Sequence, residues 1–227
     1  MQPGASAPVA PSPIAAEGLI FTPNGRVPYS PPRALEIREI DALAAAFAAA
    51  TRRARLAGFD GVELNAAFGY LPDQFLQDGS NHRTDGYGGP IANRARFPFE
   101  VVDTMIAAWD ARRVGVKISP ANTSYGISDS GPLATFTHAI RGLSARGIGY
   151  LHLIEPDQAD FDKGPLAVPE VIDTFGPCSR GRSSAIAASI ANEPMRRSRR
   201  ARWRWCRSAG CSSPTPICRR GSRRARP

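Results

Sequence analysis

Residues 58–76 read GFDGVELNAAFGYLPDQFL, and the fold prediction starts from this stretch. Residues 59–64 form an apolar run of the length of a β-strand. Residues 71–89 are polar and rich in glycine, so they predict a long loop with a short helix. A buried strand followed by a long polar loop is typical of folds in which loops on a rigid scaffold carry the chemistry.

Predicted helices and strands alternate around this stretch. Apolar residues at helical spacing predict three helices, at about residues 37–57, 97–109 and 133–146. Gly58 and Gly147 stand where left-handed C-terminal caps belong. Two further apolar runs, residues 114–119 and 150–154, predict buried strands.

This alternation predicts an α/β fold with parallel strands joined by crossover helices. Either a doubly wound sheet or a (β/α) barrel fits the order. The long polar loop after the first strand favours the barrel, because the loops at that end of a barrel form the active site. No Gly-x-Gly-x-x-Gly follows any strand, which disfavours a dinucleotide-binding doubly wound sheet.

Charge divides the chain at residue 177. The whole chain has a formal net charge of +9. Residues 1–177 hold 15 basic and 19 acidic side chains, whereas residues 178–227 hold 14 basic and 1 acidic, so a uniformly basic protein is excluded. We therefore distinguish a Pro/Ala-rich loop segment, 1–34, a central domain, 35–177, and an Arg-rich tail, 178–227, which we expect to be disordered.

Composition excludes several classes of protein. Hydrophobic residues make up 42% of the chain, which suits a globular core and excludes general disorder. No apolar run approaches the ~18 residues of a membrane span, and the first residues lack the pattern of a signal peptide. All four cysteines lie in the tail, so the core has no disulfide framework. We expect a soluble, cytoplasmic chain that has no membrane partner.

The motif continues beyond the opening stretch as DGSNHRTD at residues 78–85, YGG at 87–89 and NRARF at 93–97. With VAPS at 9–12 and VGVKISP at 114–120, it closely resembles the Old Yellow Enzyme family of FMN-dependent NAD(P)H oxidoreductases. The resemblance covers about residues 5–177. It implies a (β/α)8 TIM barrel, of which the sequence shows only three strands, so we expect a partial barrel with an irregular basic tail.

The resemblance also implies a cofactor and a reaction. FMN would lie at the C-terminal ends of the strands and be reduced by NADH or NADPH. Hydride would then pass to an activated alkene, an α,β-unsaturated carbonyl or nitro compound, while Tyr70 protonates the neighbouring carbon. A phenol with an ordinary pKa of ~10 can protonate a developing enolate without being ionised at neutral pH. Without the motif, Tyr70 would be interpreted as a loop aromatic packed on a helix.

Two positions near Tyr70 depart from the family. Asn65 stands where the family usually has histidine, and Phe68 where it has asparagine or histidine. In the family these side chains donate hydrogen bonds to the substrate oxygen, and Asn65 is also expected at the cofactor site. The Asn65 amide can still donate, whereas Phe68 cannot, and losing one donor of an oxyanion site costs about 3 kcal/mol.

Two positions on neighbouring elements also differ. Lys117 stands where the family commonly has an arginine that faces N1 and the C2 carbonyl of the flavin. A lysine keeps the positive charge and loses the planar fork of the guanidinium. Outside the motif, Lys117 would be a lysine extending from a strand end to solvent. Pro98 falls in a helix that the family starts near Asn93, and a proline in a helix interior costs about 3 kcal/mol unless the helix begins there.

The tail has three interpretations. Arginines interleaved with tryptophan at residues 196–205 suit phosphate contacts and base stacking, so the alternative function is a non-catalytic basic nucleic-acid-binding protein. A zinc site is the second, but the cysteines have 27, 4 and 6 residues between them and no histidine nearby. No pair of the histidines His82, His138 and His152 has metal-ligand spacing either, so we predict no metal site.

We prefer the third interpretation, a tail read out of frame. Codons for residues 208–219, begun one nucleotide early, permit Phe-Gly-Arg-Leu-Phe-Ile-Ala-Asn-Pro-Asp-Leu-Pro. This resembles the last strand of the family, with the Gly-Arg pair that holds the FMN phosphate. Since no such phosphate site is visible in the sequence as it stands, we expect the chain to bind FMN weakly or not at all, and to be weakly active or inactive. We expect no nucleic-acid partner.

Overall fold

The structure, a computed structural model of the chain, describes residues 7–163, 168–179 and 185–190. In chain order its strands and helices are β1 (Val9–Ala10), β2 (Leu19–Thr22), β3 (Gly25–Pro28), β4 (Arg33–Ala34), α1 (Ile37–Leu56), β5 (Val62–Ala66), α2 (Leu71–Leu76), α3 (Ile91–Arg94), α4 (Arg96–Ala108), β6 (Val114–Ile118), α5 (Pro132–Ala145), β7 (Tyr150–Glu155), α6 (Gln158–Phe161), α7 (Val171–Phe175) and β8 (Ala185–Ile190). Within this described part, no helix is long and apolar enough to cross a membrane.

Four strands form one parallel sheet in the order β5-β6-β7-β8. Leu64 pairs in register with Val116, and Val116 with Leu151. Each strand lies beside the next one in sequence, and helices lie in the connections between them. A doubly wound sheet reverses its strand order at a switch point, whereas this order continues in one direction, as in a barrel. The predicted α/β fold with parallel strands and crossover helices is confirmed.

The core lies between the outer face of this sheet and the helices. Side chains of a strand alternate between its two faces. The strand residues buried on the outer face include Leu64, Ala66, Val116, Ile118, Leu151 and Leu153. The helices contribute Ile40, Phe97, Val101, Phe136 and Ile140 to the same core. Burying one large apolar side chain stabilises the fold by roughly 1.5–3 kcal/mol.

Local signals set the helix boundaries. The Glu39 side chain accepts a hydrogen bond from the Glu36 N–H at 2.9 Å, which satisfies a donor at the start of α1. Gly58 follows α1 with a φ of 84°, so the predicted left-handed cap is confirmed. The helical segment that contains Pro98 is divided at Ala95 into α3 and α4, and Pro98 lies in the first turn of α4. Because first-turn N–H groups have no partner within the helix, Pro98 removes no helical hydrogen bond.

The described part of residues 1–34 contains four short strands, so the prediction of a loop throughout this segment is wrong. β2 and β3 form an antiparallel hairpin in which Ile20 pairs with Val27, and β1 pairs in parallel with β4. The hairpin closes at Gly25, whose φ is 103° and whose carbonyl accepts the Thr22 hydroxyl. Each of these strands has only two to four residues, too few for an alternating pattern to stand out among the prolines.

The bounds of the first predicted strand and the number of strands also need correction. The first predicted strand, residues 59–64, is observed at Val62–Ala66, because the chain turns at Gly58 and leaves Phe59 65% exposed before it enters the sheet. A fourth strand, β8, lies inside the segment assigned to the tail and pairs with β7. Its sequence is mostly alanine and serine, which are weak strand formers, so composition did not indicate it. The rest of the tail beyond residue 179 lies outside the described residues.

Candidate active site

Polar side chains occupy the inner face of the sheet, opposite the helices. In β5, Glu63 and Asn65 alternate with buried apolar residues and therefore lie on this inner face. The register places Asn65 opposite Lys117 of β6, and Lys117 opposite His152 of β7. Asn65 and Lys117, the two residues expected at the flavin, thus lie side by side near the C-terminal ends of their strands.

Glu63 connects the charged groups of this face. Its carboxylate lies 2.9 Å from Lys117 Nζ and 3.1 Å from His152 Nδ1. Burial raises the pKa of Glu63, but hydrogen bonds from His152, Lys117 and Tyr150 outweigh burial and bring the pKa down to about 2. The carboxylate is therefore ionised at neutral pH and offsets part of the Lys117 charge.

Tyr150 completes this group from the start of β7. Burial raises the pKa of Tyr150, and the adjacent Glu63 carboxylate raises it further, to about 12, so the hydroxyl remains a hydrogen-bond donor to Glu63. Its ring lies over Gly115 of β6, where any Cβ would collide with it. Glycine is required at residue 115 because two groups approach so closely there.

Asn65 has a buried side-chain oxygen with no hydrogen-bond partner among the described residues. Leaving a buried polar group unpaired costs about 1–3 kcal/mol, so such a group calls for an explanation, and a bound ligand is one. Asn65 and Lys117 together present an amide and an ammonium on adjacent strands. The polar edge of a flavin ring fits this pair, since the ammonium can donate to N1 and the C2 carbonyl while the unpaired amide oxygen can accept from the neighbouring N3–H.

The segment between β5 and α2 carries Tyr70 in an unusual backbone conformation. Phe68 and Gly69 are both left-handed, with φ values of 54° and 71°. The Phe68 N–H donates to Ser119 Oγ at 2.9 Å, which fastens the segment to the chain just after β6. Outside glycine, this conformation favours Asn, Asp or His, so phenylalanine is poorly suited to it. Tyr70 follows as the residue before α2 and is 57% exposed.

Motif resemblance selects only part of this site. Asn65 and Lys117 come together as neighbours, and Tyr70 lies beyond the end of the strand that carries Asn65. The resemblance does not select Glu63, and it gives His152 no role. The available signal was the two-residue period of the strand, since Glu63 precedes Asn65 by two positions. In the described ranges, no group of three or more His, Cys, Asp or Glu residues could hold a metal ion.

Fold and site together define a class of protein, a parallel (β/α)-barrel chain whose inner face carries an amide, an ammonium and a carboxylate. The sequence pattern of the NADH:flavin oxidoreductase / NADH oxidase family matches residues 4–163. The chain belongs to this family.

Known relatives agree with this assignment. The chain is 46% identical over 154 residues to a probable flavin mononucleotide-dependent alkene reductase of Leishmania infantum, covering 66% of this chain and 42% of that protein. It is 40% identical over 151 residues to 12-oxophytodienoate reductase 2 of Arabidopsis thaliana, covering 64% of this chain and 40% of that protein. The old yellow enzyme homologue from Zymomonas mobilis has a similar structure, with a TM-score of 0.71 and 35% identity. The match covers 81% of this chain and 51% of that one. Morphinone reductase in complex with tetrahydroNAD has a TM-score of 0.68 and 38% identity, and the match covers 81% of this chain and 49% of that one.

These similarities confirm the Old Yellow Enzyme resemblance and the partial TIM-barrel fold. Members of this family use FMN, and the tetrahydroNAD complex indicates a nicotinamide reductant. The chain spans about 40% of the length of the curated relatives and about half of the solved ones. None of these relatives supports the alternative of a nucleic-acid-binding protein.

Proposed function

We propose that this chain carries the central part of an FMN-dependent NAD(P)H oxidoreductase that reduces activated alkenes. The observation that carries the proposal is the register pair of Asn65 and Lys117 on the inner face, with Tyr70 just beyond the same end of the sheet. Similarity to alkene reductases supports the reaction class. The substrate would be a small molecule in which the double bond is conjugated to a carbonyl or nitro group, and the reductant would be NADH or NADPH.

Each of these residues would have a separate task. When bound, FMN supplies the hydride chemistry. The Lys117 ammonium would hold the N1 and C2 carbonyl edge of the ring, and Glu63 keeps that ammonium on the inner face. The Asn65 amide would donate to the flavin or to the substrate oxygen. Tyr70 would give its phenolic proton to the alkene carbon next to the activating group.

FMN binding tests the proposed site. The described inner face offers one ammonium, partly offset by Glu63, and one amide, so we expect weak affinity and no flavin retained through purification. Quenching of flavin fluorescence during a titration measures the Kd. Lys117→Met should raise that Kd about tenfold or more, because a hydrogen bond from a charged group is worth about 1.5–3 kcal/mol.

Arg112→Met is the matched control for this titration. Arg112 precedes β6 at the opposite end of the strand, and its side chain is 79% exposed, so the Kd should not change. Stoichiometric yellow flavin in the purified chain would contradict the expected weak binding. An equal Kd for the parent chain and Lys117→Met would contradict the assignment of Lys117.

Phe68→Asn should be more stable than Phe68→Ala and should improve alkene reduction over the parent chain. Asparagine tolerates the left-handed conformation of residue 68 better than residues with larger side chains, and its amide would supply a donor where the family has one. Phe68→Ala is the control, since it loses the same ring without either gain. We expect urea unfolding to show Phe68→Asn more stable than Phe68→Ala by about 1 kcal/mol. The rate of alkene reduction should rise by up to ~10²-fold over the parent chain. If the two variants were equally stable, the backbone at residue 68 would not be strained.

Two further proposals rest on the sequence. A cytoplasmic location is supported by the absence of cysteine from residues 1–177. The out-of-frame reading of the tail is supported by the shifted codons of residues 208–219. Sequencing the gene tests it, because another frame must then encode the Phe-Gly-Arg segment.

A further inference from the structure

Side chains of α2 hold the residue that precedes Tyr70. The Gly69 N–H donates to Asp73 Oδ2 at 2.9 Å, and Gln74 Nε2 donates to the Gly69 carbonyl at 2.7 Å. Two consecutive residues of α2 therefore bind both polar backbone groups of Gly69. Gly69 and its neighbour Phe68 are both left-handed, so these bonds stabilise a backbone conformation that a residue such as Phe68 rarely adopts.

Tyr70 has few other constraints on its direction. The residue is 57% exposed, and its hydroxyl makes no hydrogen bond to any residue that the structure describes. The direction of the phenol is therefore set by the backbone of residues 68–70 rather than by packing of the ring. Any movement of Gly69 would be passed on to Tyr70.

Asp73 is a buried acid whose protonation changes near neutral pH. It is wholly inaccessible to solvent and also accepts a hydrogen bond from Gln77 Nε2 at 2.8 Å. Burial raises the pKa of Asp73 more than the hydrogen bonds from Gln77 and Gly69 lower it, and the charge of Asp129 raises it further, to about 7. A carboxylate accepts a hydrogen bond about twice as strongly as a neutral group, so protonation weakens the hold on Gly69.

The other charged groups around Asp73 are already paired. Asp129, which follows β6, lies 3.2 Å from Arg94 of α3 and accepts the Thr135 hydroxyl of α5. Asp78, just after α2, lies 3.8 Å from the same guanidinium. Among these described groups, Asp73 is the acid with no cation within ion-pair distance.

We propose that Asp73 is a positioning residue for Tyr70: its carboxylate holds Gly69 in place and thereby directs the phenol, and protonation of Asp73 loosens that hold. The proposal rests on the proposed role of Tyr70 as the proton donor. It predicts that the surroundings of Tyr70 change with the ionisation of an acid that does not touch the reacting atoms.

NMR of the chain labelled with ¹³C at the tyrosine Cζ tests this without flavin or turnover. The chain has five tyrosines, and the signal missing from Tyr70→Phe identifies Tyr70. In the parent chain this signal should shift with a midpoint near the Asp73 pKa of about 7. Asp73→Asn has the same size and cannot ionise, so the shift should disappear. Asp78→Asn, the same change on an acid that is already paired, should keep it.

Gln77→Met gives a second and independent readout. It removes a hydrogen bond that lowers the pKa of Asp73 and leaves residues 68–70 unchanged, so the midpoint should rise by about one pH unit. This variant tests whether ionisation of Asp73 causes the Tyr70 shift even if Asp73→Asn does not fold. A Tyr70 signal that stays constant through neutral pH, or an unchanged midpoint in Gln77→Met, would overturn the proposal. If the shift is present but Tyr70→Phe reduces alkenes at the parent rate at an FMN concentration well above the Kd, Asp73 still positions Tyr70 and the proposed role of Tyr70 as proton donor is refuted.

Discussion

Tyr70→Phe is expected to slow alkene reduction by about 10²–10⁴-fold and to leave the reduction of FMN by NAD(P)H unchanged. The phenol would be the proton donor to the alkene carbon, whereas flavin reduction needs no proton from it. The substitution keeps the ring and removes only the hydroxyl. Stopped-flow measurements without oxygen, at an FMN concentration well above the Kd, separate the two half-reactions.

Tyr29→Phe controls for the loss of a hydroxyl elsewhere. The Tyr29 ring contacts Tyr125 edge-on at 5.9 Å between ring centroids, and its hydroxyl has no role in the proposed reaction. Both half-reactions should keep the parent rate in this variant. If Tyr70→Phe reduced alkenes at the parent rate, another residue or water would have to be the proton donor. If it slowed both half-reactions equally, Tyr70 would act on FMN binding instead.

Arg94→Met should lower the free energy of unfolding by about 3–5 kcal/mol. Arg94 is buried, and its guanidinium donates to the carbonyls of Leu76 and Gly89 and to the Thr135 hydroxyl, all at 2.9 Å. It also pairs with Asp129, whose side chain is wholly buried. The substitution would leave that carboxylate without its cation and free three hydrogen-bond acceptors, so α2, α3 and the start of α5 would lose their common connection.

Urea unfolding followed by circular dichroism measures this loss. Arg96→Met is the matched control, since Arg96 lies two residues later and is exposed, with its guanidinium 5.4 Å from the centre of the Tyr87 ring. We expect that control to change the free energy of unfolding by less than about 0.5 kcal/mol. Domains are typically stable by about 5–15 kcal/mol, so the Arg94 variant would lose a large share of its stability. A loss for Arg94→Met as small as the one expected for the control would show that the buried network contributes little.

The fold was predictable where local pattern and packing agree. The apolar stripe that begins at Ile37 and the glycine at residue 58 both indicate α1, and the structure has that helix and its left-handed cap. The strands with bulky residues, β6 and β7, were found within one residue of their ends. β8 was missed because alanine and serine give little strand signal, and its pairing with β7 is a tertiary effect.

The candidate site was predictable only in part. Motif resemblance selected Asn65, Tyr70 and Lys117, and strand register then places Asn65 beside Lys117. The ion pair of Lys117 with Glu63 depends on that register, which a single strand pattern does not provide. The left-handed conformation of Phe68 was also hidden, because nothing in the identity of a phenylalanine indicates it.

The close approach of Tyr150 to Gly115 makes two positions of neighbouring strands mutually dependent. A side chain could enter at residue 115 only if residue 150 became smaller, and a smaller residue 150 would withdraw a hydrogen bond from Glu63. Glu63 would then bind Lys117 and His152 differently. Substitutions at residues 115 and 150 should therefore be non-additive, and selection acting on the charge at Lys117 also acts on a steric contact at the other end of the same strand.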